Sequence, residues 1–448
     1  MSTLATLSPA GGVRRLLSTA PFGDTVAAAA AAGRLVVQPR MGMPSVPVML
    51  GGLQAVAAAD ATTVGTITLD SYTRVGDHDS ARKALREGSD LNGFPIVAHG
   101  AEVTRDMLAQ IGAPDFAIQV RHGSPLPLGI VQALLDAGLD ATEGGPVSYC
   151  LPYSRTPLAQ AVDAWAASCE MLAERVQGAH LESFGGCMLG QLCPPSLLVA
   201  ISALEGMFFR QRGLTSISLS YAQGTSFDQD VDAIAALRHL AGQYLGDTQW
   251  HVVLYSYMGV FPRTEAGALE LLRGSATLAR TTGAERLIVK TPAEAHRIPT
   301  VADNILALGE AARASEGVVP QPGSITDNPV YAEARLLVEA VLELDPDIGQ
   351  ALRKAFEKGY LDVPFCLHAD NAQRARSYID GDGRLQWLST GRMPIAATKP
   401  AGSARLGADD FLGMLSHVQR GFDLAALETD YRRPTALTST ASTAKDAK

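Results

Sequence analysis

The sequence predicts an α/β protein built as a (β/α)8 TIM-type barrel, with an N-terminal helical lead-in and a C-terminal extension. Three observations predict it. From residue 35 onward, short apolar runs of strand length alternate with longer stretches of helical period. Such strict alternation implies parallel strands joined by right-handed crossovers. No G-x-G-x-x-G follows the first strand, so the signature of a dinucleotide-binding open sheet is missing. With 47% hydrophobic and 19% charged residues over 448 positions, the chain can bury a core of barrel size and is not broadly disordered.

The elements follow in order. Residues 27–32 are all alanine and run into Gly33-Arg34. Six alanines make a feeble apolar region, and Asp24 interrupts the approach, so the segment reads as a helix leading into the fold and not as a signal peptide. Strand candidates lie at 35–38, 65–69, 95–98, 117–120, 141–143, 180–183, 216–220, 252–255 and 287–290, which is nine for eight barrel places. Helical segments lie at 128–137, 158–175, 197–212, 231–244, 265–279 and 302–313. Beyond 320 the rhythm weakens to two helices, near 331–344 and 348–358, followed by an irregular region. The expected division is a lead-in at 1–33, a catalytic barrel at 34–320, an extension at 321–433 packed on the barrel, and a disordered Thr/Ser/Ala/Lys-rich tail at 434–448.

Bulk charge excludes some functions. A net charge of −9 argues against a nucleic-acid partner, which calls for a basic surface. Five cysteines without a C-x-x-C pair fit a reducing cytoplasm, and no apolar run reaches membrane-spanning length. The nine histidines form no metal-ligand motif, so no protein-bound metal is implied.

In a (β/α)8 barrel the active site lies at the C-terminal ends of the strands. Those ends are unusual here. The first strand runs out into Gln38-Pro39-Arg40, the second into Asp70-Ser71-Tyr72-Thr73-Arg74, and another into Arg121-His122-Gly123. A lone arginine after a strand is commonly a surface residue. Three at equivalent strand ends converge on one place, where guanidinium forks match carboxylates or a phosphate. Glu143 stands at a further strand end, ahead of Tyr149 and Tyr153, and its carboxylate could receive an ammonium group. Arginines for carboxylates and a glutamate for an amine together describe an acidic amino acid. Lys290 and Glu294 close another strand, at a spacing that also suits a plain surface pair.

The motifs QPR (38–40), TLDSYTR (68–74), LNGFP (91–95), RHGSP (121–125) and EGGPVSY (143–149) occur in that order. CLPY (150–153), YMGVFP (257–262), IVKTPAEAHRIPT (288–300) and DVPF (362–365) continue the series. From about residue 34 to 400 the chain resembles the large (epsilon) subunit family of adenosylcobalamin-dependent glutamate (methylaspartate) mutases. Pro146 departs from the pattern, where a third glycine is expected. The resemblance implies a radical carbon-skeleton isomerase interconverting L-glutamate and (2S,3S)-3-methylaspartate through glycyl-radical and acrylate fragments. It implies that Arg40, Arg74 and Arg121 hold the two carboxylates with His122 beside them, and that Glu143, Tyr149 and Tyr153 complete the substrate shell. Gly42, Asn92, Pro152, Phe261, Lys290, Glu294 and Ile298 would line the adenosylcobalamin side. None of the nine histidines has aspartate two positions before it, so the D-x-H-x-x-G motif of corrinoid-binding domains is missing. The cofactor is then shared with a separate small cobalamin-binding subunit, in a heterotetramer built on a homodimer of this chain. Two alternatives are a related mutase acting on another acidic substrate and a non-catalytic binding protein on the same barrel. The intact arginines and Glu143 favour neither.

Overall fold

The computed structural model describes residues 20–89, 91–397 and 406–432. Eight parallel strands form its centre: β1 (Val36–Pro39), β2 (Gly65–Thr68), β3 (Ile118–Arg121), β4 (Ala141–Gly144), β5 (His180–Ser183), β6 (Ser216–Ala222), β7 (Gln249–Tyr255) and β8 (Arg286–Val289). Their order is β1-β8-β7-β6-β5-β4-β3-β2. The two ends of this sheet meet through a parallel bridge between Val37 and Thr63, which brings it round as a barrel. The strands are buried along nearly their whole length because helices cover one face and the barrel interior the other.

Amphipathic helices occupy the crossovers, among them Leu158–Arg175, Pro195–Gln211, Phe227–Tyr244, Glu265–Thr282 and Val301–Ser315. Local chemistry sets their starts. Thr300 and Asp303 form a capping box for the last of these, and Thr264 accepts a hydrogen bond from Gly267 N at the start of Glu265–Thr282. Among the described residues no helix is long and apolar enough to cross a membrane.

The alanine-rich segment is helical over Phe22–Ala31 and closes the lower, N-terminal end of the barrel. Phe22 N donates to Asp140 just ahead of β4 (3.1 Å), and the Phe22 ring lies 5.0 Å from both the His180 ring and the Arg286 guanidinium carbon.

One strand candidate does not survive. Residues 95–98 lie in a single helical turn, Ile96–His99, inside the β2-to-β3 crossover. A four-residue apolar run suits a buried strand and a buried helical turn equally. Here β2 already pairs with β3 directly, so the sheet has no slot for another strand. Phe94, just before that helical turn, makes an isolated bridge to Leu69.

After the barrel, helices Pro329–Leu342 and Ile348–Lys358 pack on its outer layer, followed by a hairpin of β9 (Arg376–Ile379) and β10 (Leu385–Ser389). Trp387 on β10 donates from its indole nitrogen to Glu333 (3.1 Å), tying hairpin to helix. The tail at 434–448 lies outside the described residues.

Candidate active site at the mouth of the barrel

The geometry at the upper end begins with short caps. Asp70, just past β2, accepts hydrogen bonds from the backbone of Tyr72 (2.9 Å) and Thr73 (3.0 Å) and so starts the turn Ser71–Arg74. That turn brings the Arg74 side chain back over the strand end, where Nε and Nη2 donate to Leu69 O at 3.0 and 2.9 Å. Arg40 follows β1, Arg121 ends β3, and Glu143 lies near the end of β4. These residues, with His122, Tyr149 and Tyr153, line one cavity of about 770 Å³, together with Thr68, Phe184 and Met258. All seven positions singled out for substrate therefore share one chamber.

Its electrostatics are lopsided. Burial lowers Arg74 from the ordinary arginine range, and the facing Arg121 and Arg40 add to that effect. Three cations held within each other's fields, in a place poorly reached by water, favour an anionic ligand. Glu143 is 1% exposed and bonds Arg121 Nε at 2.6 Å. Burial would push its carboxyl up, but Arg121 and hydrogen bonds from Arg121, Tyr149 and Tyr255 hold it below the usual carboxylate range. These partners favour its anionic form, set beside the cations.

His122 has the opposite character. Burial drives its imidazolium down to about 3, so it is neutral. Its Nδ1 accepts from Ser124 N (3.0 Å), which puts the ring proton on Nε2, and Nε2 is buried with no hydrogen-bond partner among the described residues. The ring is stacked on Trp165 at 5.7 Å and meets Tyr149 edge-on at 5.2 Å. Tyr149 is buried, whereas Tyr153 is 54% exposed at the rim.

None of the seven residues assigned by resemblance to the cofactor side lines that cavity; Gly42, Asn92 and Lys290 adjoin residues that do, namely Thr68, Ser71 and Arg40. Gly42 has no room for a side chain, since a Cβ would overlap the Thr68 carbonyl. Asn92 accepts from Ser71 N at 2.9 Å. Lys290 is 7% exposed, 3.7 Å from Glu294, with its ammonium 5.2 Å over the Phe261 ring. Burial, helped by Arg40 and opposed by Glu294, lowers Lys290 to about 8. Pro152 is half-buried in the loop that carries Tyr149 and Tyr153, and Ile298 stands 71% exposed.

Sequence reasoning missed the supports of the site. Tyr255, at the end of β7, donates to Glu143 Oε2 (2.7 Å) and also contacts Glu182 on β5. Glu205, buried on helix Pro195–Gln211, accepts from Val147 N, Ser148 N, Ser148 Oγ and Ser183 Oγ at 2.8–3.0 Å, clamping the loop before Tyr149. Gly145 lies against that carboxylate, where a Cβ would collide with it. The extension braces the same loop from outside, with His368 Nε2 3.0 Å from Thr156 O and Asp370 accepting from Leu158 N at 2.7 Å. The inward-facing period of strands was the available signal for Glu182 and Tyr255; helical Glu205 carried none.

The family model described as Methylaspartate mutase E chain matches residues 18–403. The glutamate mutase epsilon subunit of Halobacterium salinarum is 33% identical over 394 residues, covering 83% of this chain and 81% of that protein. Its counterpart in Escherichia coli O157:H7 is 33% identical over 351 residues, covering 73% and 72%. That of Treponema denticola is 29% identical over 388 residues, covering 81% and 78%. The barrel, the cation-lined mouth and a match along most of its length make this chain a member of the methylaspartate mutase E chain family.

Proposed function

We propose that this chain is the substrate-binding, catalytic subunit of an isomerase that interconverts L-glutamate and (2S,3S)-3-methylaspartate. The observation that carries the proposal is the convergence of Arg40, Arg74, Arg121 and the anionic Glu143 on one cavity. Arginines bind two carboxylates through forked N–H donors, and Glu143 receives the ammonium. His122 offers its unpartnered Nε2–H as a neutral donor beside them. The carbon skeleton breaks between the two carboxylates, so each fragment keeps one and each stays held by an arginine. Such holding favours recombination over escape.

The rim suits adenosylcobalamin. Gly42 lets its backbone pack directly against Thr68, Lys290 and Glu294 would supply a donor and an acceptor for ribose hydroxyls, and the exposed Ile298 an apolar contact, with Phe261 buried beneath Lys290. When bound, that cofactor supplies the carbon radical that takes a hydrogen atom from the substrate. Its other face belongs to a separate small cobalamin-binding subunit, and the working unit is a heterotetramer around a homodimer of this chain. The five buried, unpaired cysteines are in keeping with a cytoplasmic location.

The test is to combine the chain with adenosylcobalamin, a family cobalamin-binding subunit and L-glutamate, and to look for 3-methylaspartate by NMR. Its appearance only when all are present is expected. Absence of product with a partner active toward its own large subunit would refute the proposal.

A further inference from the structure

Beneath Glu143, sealed from the cavity, lies a second Arg–Glu pair. Glu182 and Arg286 are both fully buried and bonded to each other. Arg286 also donates to Ser218 Oγ (3.0 Å), Gln119 Oε1 (3.1 Å) and Gln38 Oε1, and Gln119 Nε2 donates to Glu182 at 3.0 Å. The Tyr255 hydroxyl lies between the two layers, 2.7 Å from Glu143 Oε2 and in contact with Glu182 Oε1. Two guanidiniums and two carboxylates thus stack along the barrel axis, and the single phenolic O–H between the carboxylates donates to one of them at a time.

The carboxylate of Glu143 has three side-chain partners, Arg121, Tyr149 and Tyr255. The first two line the cavity, where an acidic ligand competes for their donors; Tyr255 does not line it. We propose that Tyr255 is a positioning residue, tethering Glu143 to the sealed lower layer while an incoming carboxylate draws on Arg121. Without that tether Glu143 is free to follow Arg121 and lose its place opposite the ligand ammonium. The inference rests on the assignment of Glu143 to the ammonium group.

The test uses the complete assembly, with chain, cobalamin-binding partner, adenosylcobalamin and L-glutamate. Tyr255→Phe removes one oxygen and should lower kcat/KM about tenfold, the scale of one hydrogen bond to a charged group. Its acid limb should move to higher pH, because the Glu143 anion loses a donor. In a Glu143→Gln background the same change should cost less than about twofold, since the tethered charge is gone. Glu182→Gln should move the acid limb the other way by removing a like charge, which keeps the idea testable should Tyr255→Phe fold poorly. An equal loss in both backgrounds with an unmoved acid limb would reduce Tyr255 to core packing and overturn the proposal. A wild-type assembly without turnover would instead strike at the reaction assignment. In that case the affinity of the chain for L-glutamate relative to glutarate, by calorimetry, still decides: a ratio unchanged by Tyr255→Phe overturns the tether.

Discussion

Two arginine–glutamate pairs stand one above the other in this barrel, and they differ in what they have left to offer. In the lower pair, Arg286 and Glu182 spend their hydrogen-bonding capacity on Ser218, Gln119, Gln38 and Tyr255, and neither is exposed. The upper pair, Arg121 and Glu143, shares a cavity wall with Arg40 and Arg74, which form no ion pair among the described residues. The chemistry is the same; the unspent donors differ. A buried ion pair is weak evidence for stability or for function by itself. Unused donors facing a cavity separate a binding site from a structural plug.

The comparison can be broken from below. Arg286→Met should leave Glu182 buried and unpaired, costing about 3–5 kcal/mol of stability, read as a large fall in the urea midpoint. A variant folding as well as wild type would show that the lower pair is no plug. From above, Arg74→Lys keeps the charge and loses the fork. It should lower kcat/KM about ten- to a thousandfold, roughly 1.4–4 kcal/mol of transition-state binding, with little change in Tm. Unchanged kinetics would remove Arg74 from the site.

Lys290 sharpens the same contrast at the rim. Its folded value of about 8 lies below that of an unfolded lysine, so the unfolded chain binds the extra proton between about pH 8 and 10.5. Stability should rise with pH across that window, and the cost of the buried ammonium is fully present below it. Lys290→Met should therefore stabilise the chain at pH 7 by about 1–3 kcal/mol, with the gain vanishing above about pH 10.5, while activity falls. Loss of stability at pH 7 would mean that the Glu294 pair outweighs burial. The smallest effect is expected at the surface, where removing the exposed Arg82–Asp79 pair should change stability by less than about 0.5 kcal/mol.

The fold was legible because parallel strands must be apolar and evenly punctuated, and eight of nine candidates became strands. The ninth failed where four apolar residues could not report their own period. The hairpin Arg376–Ile379 and Leu385–Ser389 was overlooked although Asp380-Gly381-Asp382-Gly383 marks its turn between two alternating runs. At the mouth, charged residues after apolar strands stood out in sequence. The supports did not: Tyr255 ends an apolar run, and its partners Glu143 and Glu182 lie 112 and 73 positions away. Such pairings exist only once the barrel closes.

The central claim, that the upper carboxylate reads an amine while the lower one holds the barrel, can be measured at Glu143. Glu143→Gln keeps the shape and one acceptor but removes the charge. The affinity of the assembled protein for L-glutamate relative to glutarate, which has the same two carboxylates and no amine, is the quantity to determine in wild type and variant. The ratio should fall about tenfold or more, as loss of a hydrogen bond between charged groups requires. An unchanged ratio, with both ligands weakened alike, would contradict the account.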